Sequence, residues 1–145
     1  MSSKTIRVAS LGLGWWSDVL ADGILKASGI EIATCYTRSL EKRQVFADKY
    51  NCSFAESYED ILNDGDIDAI INTTPNNIHL ETTRQAAEAG KHIFLDKPIA
   101  NSVGEGMKIA KICRKANVKL SIGFQRRREN HFRWVHEEIK SGRFG

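Results

Sequence analysis

The sequence predicts an α/β protein built as a single domain around a doubly wound parallel sheet. Three observations predict it. Five short apolar runs rich in β-branched residues recur along the 145 residues, longer segments of helical period separate them, and two glycines one residue apart follow the first run. The runs are continuously apolar rather than alternating, which suits strands covered on both faces. The length allows one core and is short for two.

The first strand is "IRVASLG" (6 to 12), and Gly12-x-Gly14 leads into a helix. In that helix Asp18, Asp22 and Lys26 share one face at i, i+4 spacing, with Leu20, Ile24 and Ala27 opposite, so the polar stripe should face water. Gly29 stops the helix and "IEIATCYT" (30 to 37) forms the second strand. Ser39 caps "LEKRQVFADKY" and Ser57 caps "YEDILND", two short helices that precede the third strand, "DAIINTT" (68 to 74). Gly90 ends the following helix before "HIFLD" (92 to 96). Ser102 with Glu105 then reads as a capping box opening the helix before the fifth strand, "VKLSIGF" (118 to 124). The closing segment, "ENHFRWVHEEIKSGRFG", sets Phe132, Val135 and Ile139 on one helical face. There is no internal repeat and no low-complexity stretch.

Composition narrows the function classes. Twenty-one Lys and Arg against 18 Asp and Glu give a formal charge of +3, spread along the chain except at "RRRENHFR" (126 to 133). That is too mild to suggest a nucleic-acid partner. Cys35, Cys52 and Cys113 are odd in number and far apart, with no C-x-x-C pair, and read as reduced, mostly buried thiols of a cytoplasmic protein without a metal site. No charged-then-apolar leader precedes Ile6, and no apolar stretch approaches the roughly 20 residues of a membrane span, so no membrane partner is expected.

The glycine loop points to a dinucleotide. Gly12 permits the tight turn, and Gly14 removes a side chain so that a pyrophosphate can reach the backbone. The helix N-terminus then offers free N–H groups and a partial positive charge of about half a unit. Ser17 occupies the third glycine position and is small enough for helix to pack on strand. Trp15 and Trp16 begin the helix with their side chains splayed, so that one walls the cofactor cleft while the other enters the core; alternatively both simply pack.

About 20 residues beyond the glycines, an acidic residue at the second strand's end would accept hydrogen bonds from the ribose of NAD. Here Thr37, Arg38 and Ser39 stand in its place. No carboxylate repels a 2′-phosphate, and Arg38 with flanking hydroxyls could pair with it, which argues for NADP, with NAD as the alternative cofactor. The competing reading is a solvated arginine beside a helix cap.

Two later stretches are sharper: "TTPNNIHLETTRQAAEAGKHIFLDKPIA" (73 to 100) and "GFQRRRENHFRWVHEEIKSGRFG" (123 to 145). With them the chain resembles, along its whole length, the glucose-fructose oxidoreductase, inositol dehydrogenase and rhizopine-catabolism (Gfo/Idh/MocA) family of nicotinamide oxidoreductases. The matching positions are Gly12 and Gly14, Thr74-Pro75-Asn76 with His79, Asp96-Lys97-Pro98, Arg127, and the closing run from Gly142 to Gly145. The resemblance implies a Rossmann cofactor domain over residues 1–123. It makes residues 124–145 a helix and junction leading to a C-terminal substrate domain that this chain lacks, whether as the cofactor-binding half of a longer enzyme or as a truncated gene.

By the same resemblance Thr74, Pro75, Asn77 and His79 line the cleft beside ribose and pyrophosphate, although His79 also reads as a first-turn hydrogen-bonding residue. Lys97 is the catalytic residue, reaching the nicotinamide ribose and the substrate hydroxyl from a lysine–proline peptide that is often cis. An ammonium there helps stabilise an alkoxide as hydride leaves; the competing account is a surface lysine before a turn proline. Asp96 replaces the family's glutamate, a methylene shorter, which puts its cofactor contact in question. Arg127 sits near the nicotinamide, with a register uncertain by one between Arg126 and Arg128, or belongs to a solvated arginine run.

The function so implied is an NADP-preferring oxidoreductase acting on a sugar, cyclitol or related polyol. It would be a homo-oligomer at full length, and the present chain alone would be inactive. The alternative is a non-catalytic dinucleotide-binding module or redox sensor, which needs the glycine loop but has no use for a substrate-facing lysine. A scaffold that no longer binds nucleotide is a third reading, kept open by Ser17 and Asp96.

Overall fold

The computed structural model describes residues 4–145. Six strands, β1 (Ile6–Leu11), β2 (Ile30–Tyr36), β3 (Ser53–Phe54), β4 (Ala69–Asn72), β5 (His92–Leu95) and β6 (Leu120–Ile122), form one sheet in the order β3-β2-β1-β4-β5-β6. Every pairing is parallel. The order reverses between β1 and β4, and the C-terminal edge at such a switch is where a doubly wound sheet takes its ligand.

Helices α1 (Trp15–Ile24), α2 (Leu40–Tyr50), α3 (Tyr58–Asn63), α4 (His79–Glu88), α5 (Val103–Lys115) and α6 (Asn130–Lys140) connect and follow the strands. The larger core joins Ala9, Leu11, Ile70, Ile93 and Leu95 of the sheet to Ile61 of α3, Ala86 and Ala87 of α4, and Ile109 and Cys113 of α5. A smaller core sets Cys35 against Ala21 of α1 and Phe46, Ala47 and Tyr50 of α2.

Helix ends follow local chemistry. Ser39 Oγ accepts the Lys42 N–H, and Ser57 with Asp60 makes a full reciprocal capping box. At Ser102 the box is only half formed, since Ser102 Oγ accepts the Glu105 N–H without a return bond from the glutamate. Gly29 and Gly90 both turn the chain with positive φ.

Three expectations need correction. β3 has only two residues and no apolar run to announce it. The polar stripe of α1 does not simply face water: the one Tyr50 hydroxyl proton lies between Asp18 Oδ1 at 2.8 Å and Asp22 Oδ1 at 3.1 Å, and Lys49 Nζ pairs with Asp18 at 2.9 Å, so the stripe ties α1 to α2. The sheet is also not covered on both faces throughout. On the α1 side an open apolar groove runs over Val8, Ile71 and Phe94, with Leu20 and Ile24 as its wall.

The three cysteines are free, with Cys35 and Cys113 buried and Cys52 half-buried. Among the described residues no cluster of His, Cys, Asp or Glu could hold a metal, and no helix is long and apolar enough to cross a membrane.

Candidate cofactor site at the C-terminal edge of the sheet

The site is assembled from the ends of β1, β2, β4, β5 and β6. After β1, Gly12 takes φ +83° and its N–H donates to Tyr36 O at 2.9 Å, which holds the loop to the end of β2. A Cβ here would lie 2.9 Å from the backbone of Thr73 and Thr74, so only glycine fits. Gly14, the residue before α1, has nothing within 4 Å of where a Cβ would stand, leaving its approach open. Ser17 is 1% exposed and its Oγ donates to Gly14 O at 2.6 Å, so the third small position packs with its hydroxyl satisfied.

The two tryptophans take different environments. Trp15 is 76% exposed beside the loop, whereas Trp16 is half-buried with its Nε1 enclosed and unpartnered; the rings are 5.5 Å apart. Trp15 is the one free to wall a ligand. At the end of β2, Thr37 and Ser39 are half-buried and Arg38 is exposed without an ion pair among the described residues.

Beneath the loop after β4 lies an arrangement that sequence reasoning missed. Asn72, 1% exposed, donates from Nδ2 to Thr82 Oγ1 at 2.8 Å, and its Oδ1 accepts from the N–H and hydroxyl of Thr74 at 3.1 and 2.7 Å. Thr73 Oγ1 donates to Gly12 O at 2.6 Å. The clue was an asparagine closing an apolar strand, where an unpaired amide would be costly. Above this support Pro75 and Asn77 are exposed and Thr74 is half-buried.

His79 does not line the cleft, contrary to expectation. It is 0% exposed, with Nε2 2.9 Å from Thr74 O and Nδ1 3.1 Å from Pro98 O. A neutral ring donates one of these bonds and an imidazolium donates both. The residue is a strut between the β4 loop and the β5 loop, closer to its first-turn hydrogen-bonding account than to ligand contact.

At the end of β5 the Asp96 N–H donates to Asn72 O at 2.9 Å, and the exposed Lys97 follows with a cis peptide to Pro98. Asp96 Oδ1 is enclosed without a partner, beneath Gly123, where a Cβ would meet it at 3.2 Å. That oxygen faces inward rather than into the cleft. After β6, a 3-10 turn (Gln125–Arg128) exposes Arg127, its guanidinium carbon 5.8 Å from the centre of the Phe124 ring.

A loop with Gly12 and Gly14 on either side of Leu13, the N-terminus of α1 beside it and its position at the switch in strand order fit a dinucleotide, and together they define a dinucleotide-binding Rossmann domain. The comparisons with known proteins agree. The family described as an oxidoreductase family with an NAD-binding Rossmann fold, Gfo/Idh/MocA, matches residues 6–124, and the chain belongs to it.

The chain is 30% identical over 139 residues to scyllo-inositol 2-dehydrogenase (NADP(+)) IolW of Bacillus subtilis, covering 95% of this chain and 38% of that protein. The crystal structure of the WlbA dehydrogenase from Bordetella pertussis in complex with NADH and UDP-GlcNAcA superposes with a TM-score of 0.93 at 27% identity, over 100% of this chain and 42% of that one. Scyllo-inositol dehydrogenase from Lactobacillus casei with bound NAD(H) and scyllo-inositol gives 0.90 at 25% identity, over 98% and 43%. The chain thus spans about two-fifths of the length of these relatives.

Proposed function

We propose that this chain is the cofactor-binding part of an NADP-preferring oxidoreductase acting on a sugar, cyclitol or related polyol, with residues 124–145 leading toward a substrate domain. The observation that carries the proposal is the meeting, at one sheet edge, of the Gly12–Gly14 loop with the exposed ammonium of Lys97. A sensor would need only the loop. Relatives that act on scyllo-inositol, or were crystallised with scyllo-inositol or UDP-GlcNAcA, support the substrate class.

When bound, the nicotinamide supplies hydride exchange. The chain's own residues bind and orient. Gly12, Gly14 and the first-turn amides of α1 would receive the pyrophosphate, with Trp15 beside it and Trp16 filling space beneath. Arg38, between the hydroxyls of Thr37 and Ser39, would pair with a 2′-phosphate, and Thr74, Pro75 and Asn77 would border the ribose. Lys97 would donate a hydrogen bond to the substrate oxygen and favour its alkoxide, lowering the cost of removing the hydroxyl proton. Asp96 supports the strand end that presents Lys97, and Arg127 stands at the nicotinamide end.

The test is a titration of the chain with NADPH and NADH, read by tryptophan quenching and energy transfer to the reduced nicotinamide, with Trp15→Phe to assign the signal. NADPH is expected to bind at least about tenfold tighter than NADH, and Arg38→Ala to remove that difference while leaving NADH unchanged. Equal affinities, or an Arg38→Ala variant that keeps the preference, refute the NADP assignment. In the complete enzyme Lys97→Ala is expected to lower kcat about a hundredfold or more; intact turnover removes Lys97 from catalysis.

A further inference from the structure

Apart from Arg127 at the nicotinamide end, the arginine segment after β6 has no part in the cofactor site proposed above. It holds Arg126, Arg127, Arg128 and Arg133 against the single acid Glu129, so taking it from the chain's 21 basic and 18 acidic residues leaves 17 of each. The whole net charge of +3 resides in eight residues. Among the described residues none of these arginines forms an ion pair, and Glu129 is engaged by His131 at 3.1 Å.

Their setting is an open depression whose lining residues are all exposed. Between the 3-10 turn and α6 it spans about 810 Å³, lined by Arg126, Arg127, Arg133, Phe132 and Trp134, with Glu137 its one carboxylate. The Arg126 guanidinium rests 5.4 Å from the centre of the Phe132 ring. A guanidinium resting on a ring keeps its in-plane N–H donors free for an oxyanion. Trp134, 54% exposed, adds a flat apolar surface of the kind on which sugar rings stack.

Position separates this depression from the adenosine end of the cofactor. β2, which carries Arg38 at its end, and β6 are four strand spacings apart, about 19 Å at the usual 4.8 Å. Lys97 follows β5, the neighbour of β6. The depression therefore lies on the Lys97 side, where a substrate rather than a 2′-phosphate would be met.

We propose that this depression is an anion subsite and that the substrate is a sugar or polyol carrying a phosphate or carboxylate group. The sugar part rests on the function proposed above; the anion part rests on the arginines. Binding should weaken as salt screens the exposed charges.

The experiment titrates the 145-residue chain with glucose 1-phosphate, glucuronate and neutral myo-inositol, following Trp134 fluorescence with Trp134→Phe to assign the signal. Saturation by either anion, at least about tenfold tighter than myo-inositol and lost in the Arg126→Gln/Arg133→Gln variant, supports the subsite. Response to glucose 1-phosphate alone assigns a phosphate ester, and response to glucuronate alone a carboxylate. No saturation by either anion, equal binding of myo-inositol, or unchanged binding in the double variant overturns it. An NADPH titration of the same chain is judged separately: NADPH binding without anion binding leaves the oxidoreductase reading standing and removes the subsite, and the converse does the reverse.

Discussion

At the scale of single residues, the site depends on a few positions whose chemistry is enclosed. Gly12 combines a positive φ with backbone 2.9 Å from its missing Cβ. Gly12→Ala should therefore cost about 2 kcal/mol or more in urea unfolding and weaken NADPH binding; a variant as stable as the parent would contradict the close approach. His79 is the second such position. His79→Ala removes the buried ring that bridges the partly buried Thr74 O and Pro98 O and should cost about 1–3 kcal/mol, read from the same urea curves. Gly12 was legible in the sequence because a glycine after a strand has one strong physical reason to be there. His79 was misread because a polar residue beside a loop looks like a ligand contact, and only its 0% exposure shows which way the ring points.

At the scale of elements, the contact between α1 and α2 titrates. Burial pushes the Asp18 carboxyl up, but hydrogen bonds from Lys49 and Tyr50 and the charge of Lys49 outweigh it and leave the pKa below its ordinary 3.8. Burial raises the Tyr50 phenol to about 12, with Asp18 and Asp22 as acceptors adding to the shift. Because the folded value of Asp18 is depressed, its stabilisation is complete above the unfolded value and is lost as pH falls through the folded one. The Asp18 side chain is 39% exposed, so solvent screening limits the contribution to about 1 kcal/mol or less. Asp18→Asn should flatten the fall in stability between about pH 5 and pH 2, a comparison made by urea midpoints at each pH. Ser57→Ala removes a reciprocal cap and should cost about 1 kcal/mol. Caps at Ser39 and Ser57 were readable because they depend on neighbours in sequence. The Asp18–Tyr50 contact was not, since it joins residues 32 positions apart through the packing of two helices.

At the scale of the whole molecule, the parallel, doubly wound sheet was legible from the alternation of apolar runs with helical segments, and so was the edge where ligands gather. Two things were not. Asn72 and Thr82 support the β4 loop from below through a buried hydrogen bond, and although an asparagine closing an apolar strand signals a buried amide, its partner ten residues on depends on how α4 packs. The apolar groove beside α1 was also missed, because continuous apolar strands predict two covered faces without saying what covers them. That groove gives a prediction of its own: the folded chain should enhance the fluorescence of a hydrophobic dye, and Leu20→Gln with Ile24→Gln should reduce the effect. A folded chain that leaves the dye dark would mean the groove is closed in solution.

The division of labour around the β4 loop bears on how such a site could be re-tuned. Asn72, Thr82 and His79 hold the loop from inside, while Pro75, Asn77, Trp15 and Arg38 meet solvent and form no side-chain hydrogen bond to the scaffold among the described residues. A mutational library confined to the outer four would explore cofactor choice at little thermodynamic risk, whereas one that sampled the inner three would yield mostly unfolded clones. Evolvability here is partitioned by depth, with an adaptable rim laid over a fixed foundation.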